Sequence, residues 1–365
     1  MNISILLIAV FTAMSASIVG VFLVLRKMSM MTDAISHTVL LGIVLAYMLV
    51  HDLNSPLLIL GATIMGVITV YLIELIVKSK RTSEDAATGV VFPLLFSIAV
   101  IIISLRFRDV HLDVDAVLLG NLEFTVFDQL VIFGTEVGPK ALYIMLGVLI
   151  LNLLFFIIFY KELKIVSFDA ALAMVLGISP VIIHYALMFL VSLTAVSAFN
   201  AVGAILVIAL MVGPAMTALL YTKNLFSTVL NAIIIGILNS VVGYLFALYF
   251  DVVISGSIAT VTLVVFLLVF LFNPKNGVLF TIYRRSRQKN EFKLLVLLMH
   301  IYNHQDGGEI LLVDGVYKAI DWNYNYYRKY INLAIEKEYI EIDSNLLKIT
   351  NKGTTLIESM LSRSV

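Results

Sequence analysis

The chain has 365 residues, 61% of them hydrophobic and 13% charged, with 24 bases and 24 acids that leave no net charge. A mean hydropathy of +1.05 over that length exceeds what a water-soluble core needs and predicts an all-α polytopic membrane protein. Cysteine is absent, which excludes disulfides, thiolate metal sites and iron–sulfur clusters.

Apolar runs of spanning length fall at 3–25, 35–50, 56–77, 88–105, 141–160, 180–198, 201–222, 226–250 and 256–273, and they predict nine transmembrane helices. The first lacks a basic start and runs into Arg26-Lys27, the reverse of a cleaved signal peptide. Basic residues set the orientation. Arg26, Lys27, Lys78, Lys80, Arg81, Lys161, Lys164, Lys223, Lys275, Arg284, Arg285 and Arg287 fall on one side, opposite Arg106, Arg108 and Lys140. The richer side is taken as cytoplasmic, which places the amino terminus outside and the carboxy-terminal residues inside.

Between the first two runs, Asp33 and His37 are four apart. On a helix both project from one face, about 6 Å apart at Cβ, and a carboxylate beside an imidazole suits manganese, iron or zinc. An ionisable pair at a membrane boundary is costly and calls for a function. The plain alternative is an N-capping Asp followed by an incidental His. The 14 methionines read as helix filler.

Gly61, Gly66, Gly203, Gly213, Gly236 and Gly243 are expected at close helix contacts, and Gly213-Pro214 at a break or kink. In the loop 106–140, Asp109, His111, Asp113 and Asp115 precede Leu119-Gly120-Asn121. They read as a solvated lip and not as direct ligands, with attraction of cations toward a pore mouth as the alternative. Residues 162–180 read as a short helix capped near Ser167, closed by Gly177 and stopped by Pro180. Its small-residue face suits a groove on another protein, with an ordinary interfacial helix as the alternative. His184 reads as a packing histidine held in reserve as a ligand for the path. No G-x-x-x-x-G-K-[ST] motif occurs, so the chain has no phosphate-cradling loop of its own.

Past Pro274 the composition changes. The expected division is a membrane domain over 1–280, a basic linker over 281–290 and a small α+β cytoplasmic domain over 291–365. Helices are predicted near 291–304, 314–320 and 324–337, then strands over 339–342 and 346–349 around a turn, then a last helix. His300 and His304 are weak metal candidates with only Asp306 near, since a site needs three or four converging ligands. The order resembles the winged helix-turn-helix of metal-dependent repressors. Residues 291–365 nonetheless carry eight bases against ten acids, so duplex DNA is not an expected partner, and protein contact or regulation is.

Four segments carry a second resemblance. Arg26-Lys27-Met28…Asp33-Ala34-Ile35-Ser36-His37-Thr38-Val39…Gly42 resembles a signature of metal-type ABC transporter permeases. The stretch 201–215, the outer Asp113…Leu119-Gly120-Asn121 and the Phe168-Asp169…Ala173…Gly177 element are similar to further segments of that family. The resemblance implies an import permease that does no covalent chemistry and binds no resident cofactor. Its cargo would be a divalent ion (manganese, zinc or iron) passing Asp33 and His37. An extracytoplasmic binding protein would dock outside, and a separate ABC ATPase would engage Phe168, Asp169, Ala173 and Gly177. A second permease subunit, identical or not, and membrane lipid complete the implied partners. Two rival readings are a membrane-tethered metal-sensing transcriptional regulator and a transporter driven by an ion gradient without an ATPase.

Overall fold

A computed structural model describes residues 3–52, 55–106, 122–132, 135–275, 277–306, 312–313, 315–343 and 345–361. The chain forms two compact units, Met1–Asn276 and Gly277–Val365. The outer-loop residues Asp109, His111, Asp113, Asp115 and 119–121 lie outside the described residues.

Among the described residues the first unit is helical except for one hairpin. In chain order it contains α1 (Ile3–Leu25), α2 (Met30–Val50), α3 (Pro56–Val77), α4 (Glu84–Arg106), strands β1 (Gln129–Ile132) and β2 (Thr135–Pro139), α5 (Lys140–Ile158), α6 (Tyr160–Phe168), α7 (Ala170–Val175), α8 (Pro180–Val202), α9 (Ala204–Leu219), α10 (Leu225–Phe250) and α11 (Ile254–Phe272). Strands β1 and β2 pair antiparallel.

Eight helices among the described residues are long and apolar enough to cross a membrane, where nine were expected. The run 201–222 supplies only the 16-residue α9, about 24 Å of helix against a hydrocarbon core of roughly 30 Å. The cause is Gly203, whose φ of +81° suits glycine and divides the nearly continuous apolar stretch into α8 and α9. Pro214 does not end α9; it lies inside the helix.

Helix α1 is the hub, packed by α5, α8, α9 and α10, while α2 packs on α3 and α4. Small residues permit the α2–α3 approach: a Cβ on Gly42 would fall 2.6 Å from the Cα of Ala62. Polar side chains cross-link the buried faces, as membrane helices require where water is absent. Thr69 donates to Thr38 Oγ1 at 2.8 Å. Asn152 on α5 donates to Ser15 Oγ at 2.7 Å and Thr194 Oγ1 at 2.8 Å, joining α5 to α1 and α8.

The second unit contains α12 (Val278–Asp306), α13 (Val316–Ala319), α14 (Tyr324–Glu336), β3 (Ile340–Asp343), β4 (Leu346–Ile349) and α15 (Asn351–Leu361). Its core gathers Leu294, Leu297, Leu298 and Ile301 of α12 against Tyr327, Tyr330 and Ile331 of α14, with Ile340 and Leu347 from the hairpin. The stretch 281–290 is helical and continuous with α12. One two-stranded hairpin does not by itself establish a winged helix.

Candidate functional site

Helix α2 starts at Met30, and Ser29 at its cap makes no side-chain cap bond. Asp33 therefore stands inside the first turn with His37 one turn deeper. Their side chains meet, Oδ1 to Nε2 at 3.6 Å, and both remain partly exposed. The imidazole is held by α4. It stacks on Phe92 at 5.2 Å and meets Phe96 edge-on at 6.0 Å. One helical turn before Ser36, Thr32 points into α9 and donates to Met211 Sδ at 3.7 Å. An oriented carboxylate and imidazole can share a divalent ion, but among the described residues no third His, Cys, Asp or Glu joins them.

A second polar cluster surrounds His184. Its Nδ1 lies 3.2 Å from Arg26 Nη1, and its Nε2 pairs with Glu74 Oε1. Arginine has no acceptor, so Nδ1 accepts, and the ring proton sits on Nε2 facing the carboxylate. Tyr185 donates to the other Glu74 oxygen at 2.8 Å. Arg26 also donates through Nε to Ser167 Oγ at 3.2 Å. Burial pulls the Arg26 guanidinium down to about 10, which still leaves it charged at neutral pH. Both nitrogens of His184 are engaged, so in this arrangement it offers no lone pair to an ion. Glu74 and Tyr185 escaped the sequence reading; the signal was a lone carboxylate inside the apolar run 56–77, which is costly in a membrane.

The element 160–177 differs from its expected form. It is two helices, and the cap between them is Asp169, not Ser167. Asp169 is extended (φ −149°, ψ 92°) and its carboxylate accepts from Leu172 N at 2.9 Å. The Ser167 hydroxyl is taken by Arg26. Pro180 opens α8, since proline suits the first helical position, where no amide is needed. Gly177 has φ +79° with open space where a Cβ would stand. Ala173 is fully buried, whereas Phe168, Leu172, Met174 and Val175 are exposed, Val175 at 83%.

On α12 the His300 and His304 rings lie tilted to each other, centroids 4.0 Å apart with 41° between their planes, and His304 Nδ1 lies 2.9 Å from the His300 carbonyl oxygen.

Among the described residues, eight long apolar helices, one of them bearing the Asp33–His37 pair, define a multi-pass membrane protein. The chain belongs to the ABC 3 transport family, whose profile matches residues 2–273. It is 43% identical over 270 residues to the manganese transport system membrane protein MntD of Bacillus subtilis (strain 168), covering 74% of this chain and 91% of that one. It is 39% identical over 372 residues to the zinc transport system membrane protein TroD of Treponema pallidum (strain Nichols), with both chains covered in full. A solved structure of PsaBC from Streptococcus pneumoniae in complex with Fab superposes with a TM-score of 0.62 at 32% identity, over 74% of this chain and 91% of that one. A transport family spanning 2–273 does not favour the membrane-tethered regulator.

Proposed function

We propose that this chain is the permease subunit of an ATP-driven importer that carries manganese or zinc across the cell membrane. The observation that carries the reading is the Asp33–His37 face, with Oδ1 and Nε2 3.6 Å apart, in a chain whose relatives are named for manganese and zinc transport. Iron has no such support. An extracytoplasmic binding protein delivers the ion, and Asp33 and His37 take it as transient ligands, with the ring held by Phe92 and Phe96. A second permease subunit completes the path. Both termini follow the basic-residue rule, amino terminus outside and second unit in the cytoplasm.

A separate ATPase engages the 160–177 element. Its exposed Phe168, Leu172, Met174 and Val175 suit a hydrophobic groove, and Asp169 and Gly177 set its shape. Arg26 carries displacement of that element to α8 through His184 and onward to α3 through Glu74. The second unit is winged-helix-like and modulates transport by protein contact, His300 and His304 being at most a weak metal site. Uptake of manganese, zinc and iron by cells with and without this chain tests the reading, which fails if neither manganese nor zinc uptake depends on it.

A further inference from the structure

We propose that α12 docks on anionic phospholipid headgroups at the membrane surface. Only residues 273–277 separate α11 from α12, a reach on the order of 20 Å when fully extended. The start of α12 is therefore tethered near the end of a spanning helix. From Lys275 to Lys293 the chain carries six bases and a single acid, Glu291, which Arg287 neutralises at 2.9 Å. The remainder of the unit, 294–365, has more acids than bases, so the basic charge is concentrated beside the tether.

The helix is also sided. Leu294, Leu297, Leu298 and Ile301 are buried in the unit's core. Ile282, Arg285, Lys289, Phe292, Val296 and Met299 follow one another at alternating steps of three and four, which aligns them along the opposite face. Ile282 is 60% exposed, Phe292 67% and Met299 38%, and Arg285 and Lys289 are exposed between them. A helix that presents apolar side chains and bases together, with no acid among them, matches an interface where hydrocarbon and negative charge meet. Water alone gives Phe292 and Ile282 nothing to pack on.

The chain has no cysteine, so Phe292→Cys and, separately, Ile282→Cys place one polarity-sensitive dye on this face of the full-length protein. The protein is reconstituted in phosphatidylcholine alone or in equimolar phosphatidylcholine and phosphatidylglycerol. The expected result is a blue shift with phosphatidylglycerol only, reversed by molar salt. Arg285→Gln with Lys289→Gln should cut the docked-to-free ratio on the order of twenty-fivefold, at roughly fivefold per base. Arg285→Lys with Lys289→Arg should preserve it. Emission of the single Trp322, which packs on Tyr326 and Tyr330, reports that the unit remains folded. Equal emission in the two lipid mixtures, or a shift indifferent to loss of both bases, would overturn the proposal; a protein surface covering the face would give that second result.

Discussion

Arg26 and His184, 158 residues apart in sequence, meet at 3.2 Å between Nη1 and Nδ1. The same guanidinium holds Ser167 at 3.2 Å, and the far nitrogen of His184 holds Glu74. Four segments, the α1–α2 turn, α6, α8 and α3, are thereby joined through one arginine and one histidine.

Arg26→Ala removes two hydrogen bonds made by a charged group, each worth roughly 1.5–3 kcal/mol, and with them the arginine bridge between α6 and α8. The protein should still insert and bind its ATPase. ATP hydrolysis by the assembled transporter should continue while uptake falls at least about tenfold, the factor that 1.4 kcal/mol carries. Lysine at this position reaches as a point charge and cannot hold both partners in fixed geometry, so Arg26→Lys should recover only part of the coupling. Measuring hydrolysis and uptake on the same preparation checks this; unchanged coupling in Arg26→Ala would remove the joint from the mechanism.

Gly177→Leu tests the 160–177 element. A Cβ there meets open space, so the cost is backbone strain of about 1–2 kcal/mol at positive φ, not a clash. Asp169→Ala removes the α7 cap, typically worth about 1 kcal/mol. Both variants should insert normally and lose ATPase co-purification several-fold. Full co-purification of both would reduce the element to a connector.

Removal of residues 277–365 leaves every apolar helix of the first unit in place. The truncated chain should insert and transport, with a changed response to internal metal. Uptake across a range of internal metal measures the response, and duplex binding by the full-length protein at physiological salt tests the other reading. Sequence-selective nanomolar binding would revive the tethered regulator, and loss of assembly would make the unit structural.

Much of this site was legible because it is local. Asp33 and His37 share a face by spacing alone, and Gly177 announces a turn by its identity. The residues that complete the picture belong to other helices. Phe92 and Phe96 reach His37 only through the packing of α4 on α2, and an apolar run carries no sign of its neighbour. Ser167 satisfied the usual signature of a cap, yet Arg26 claimed its hydroxyl through a contact between residues 141 apart, and Asp169 became the cap instead. The break at Gly203 was hidden because both sides of it are equally apolar. Glu74 is different: a lone carboxylate near the end of the apolar run 56–77 was a visible signal, and its partner His184 was already singled out.

The most direct measurement is uptake of manganese and zinc, metal by metal, by cells carrying the wild type, Asp33→Asn or His37→Ala at matched membrane levels of the assembled transporter. Supporting a metal ligand from outside is commonly worth 10- to 100-fold in affinity, and removing the ligand itself costs at least as much. Each variant should therefore lose on the order of tenfold or more of its uptake while its ATPase remains bound. Near-normal uptake by both variants would contradict the account.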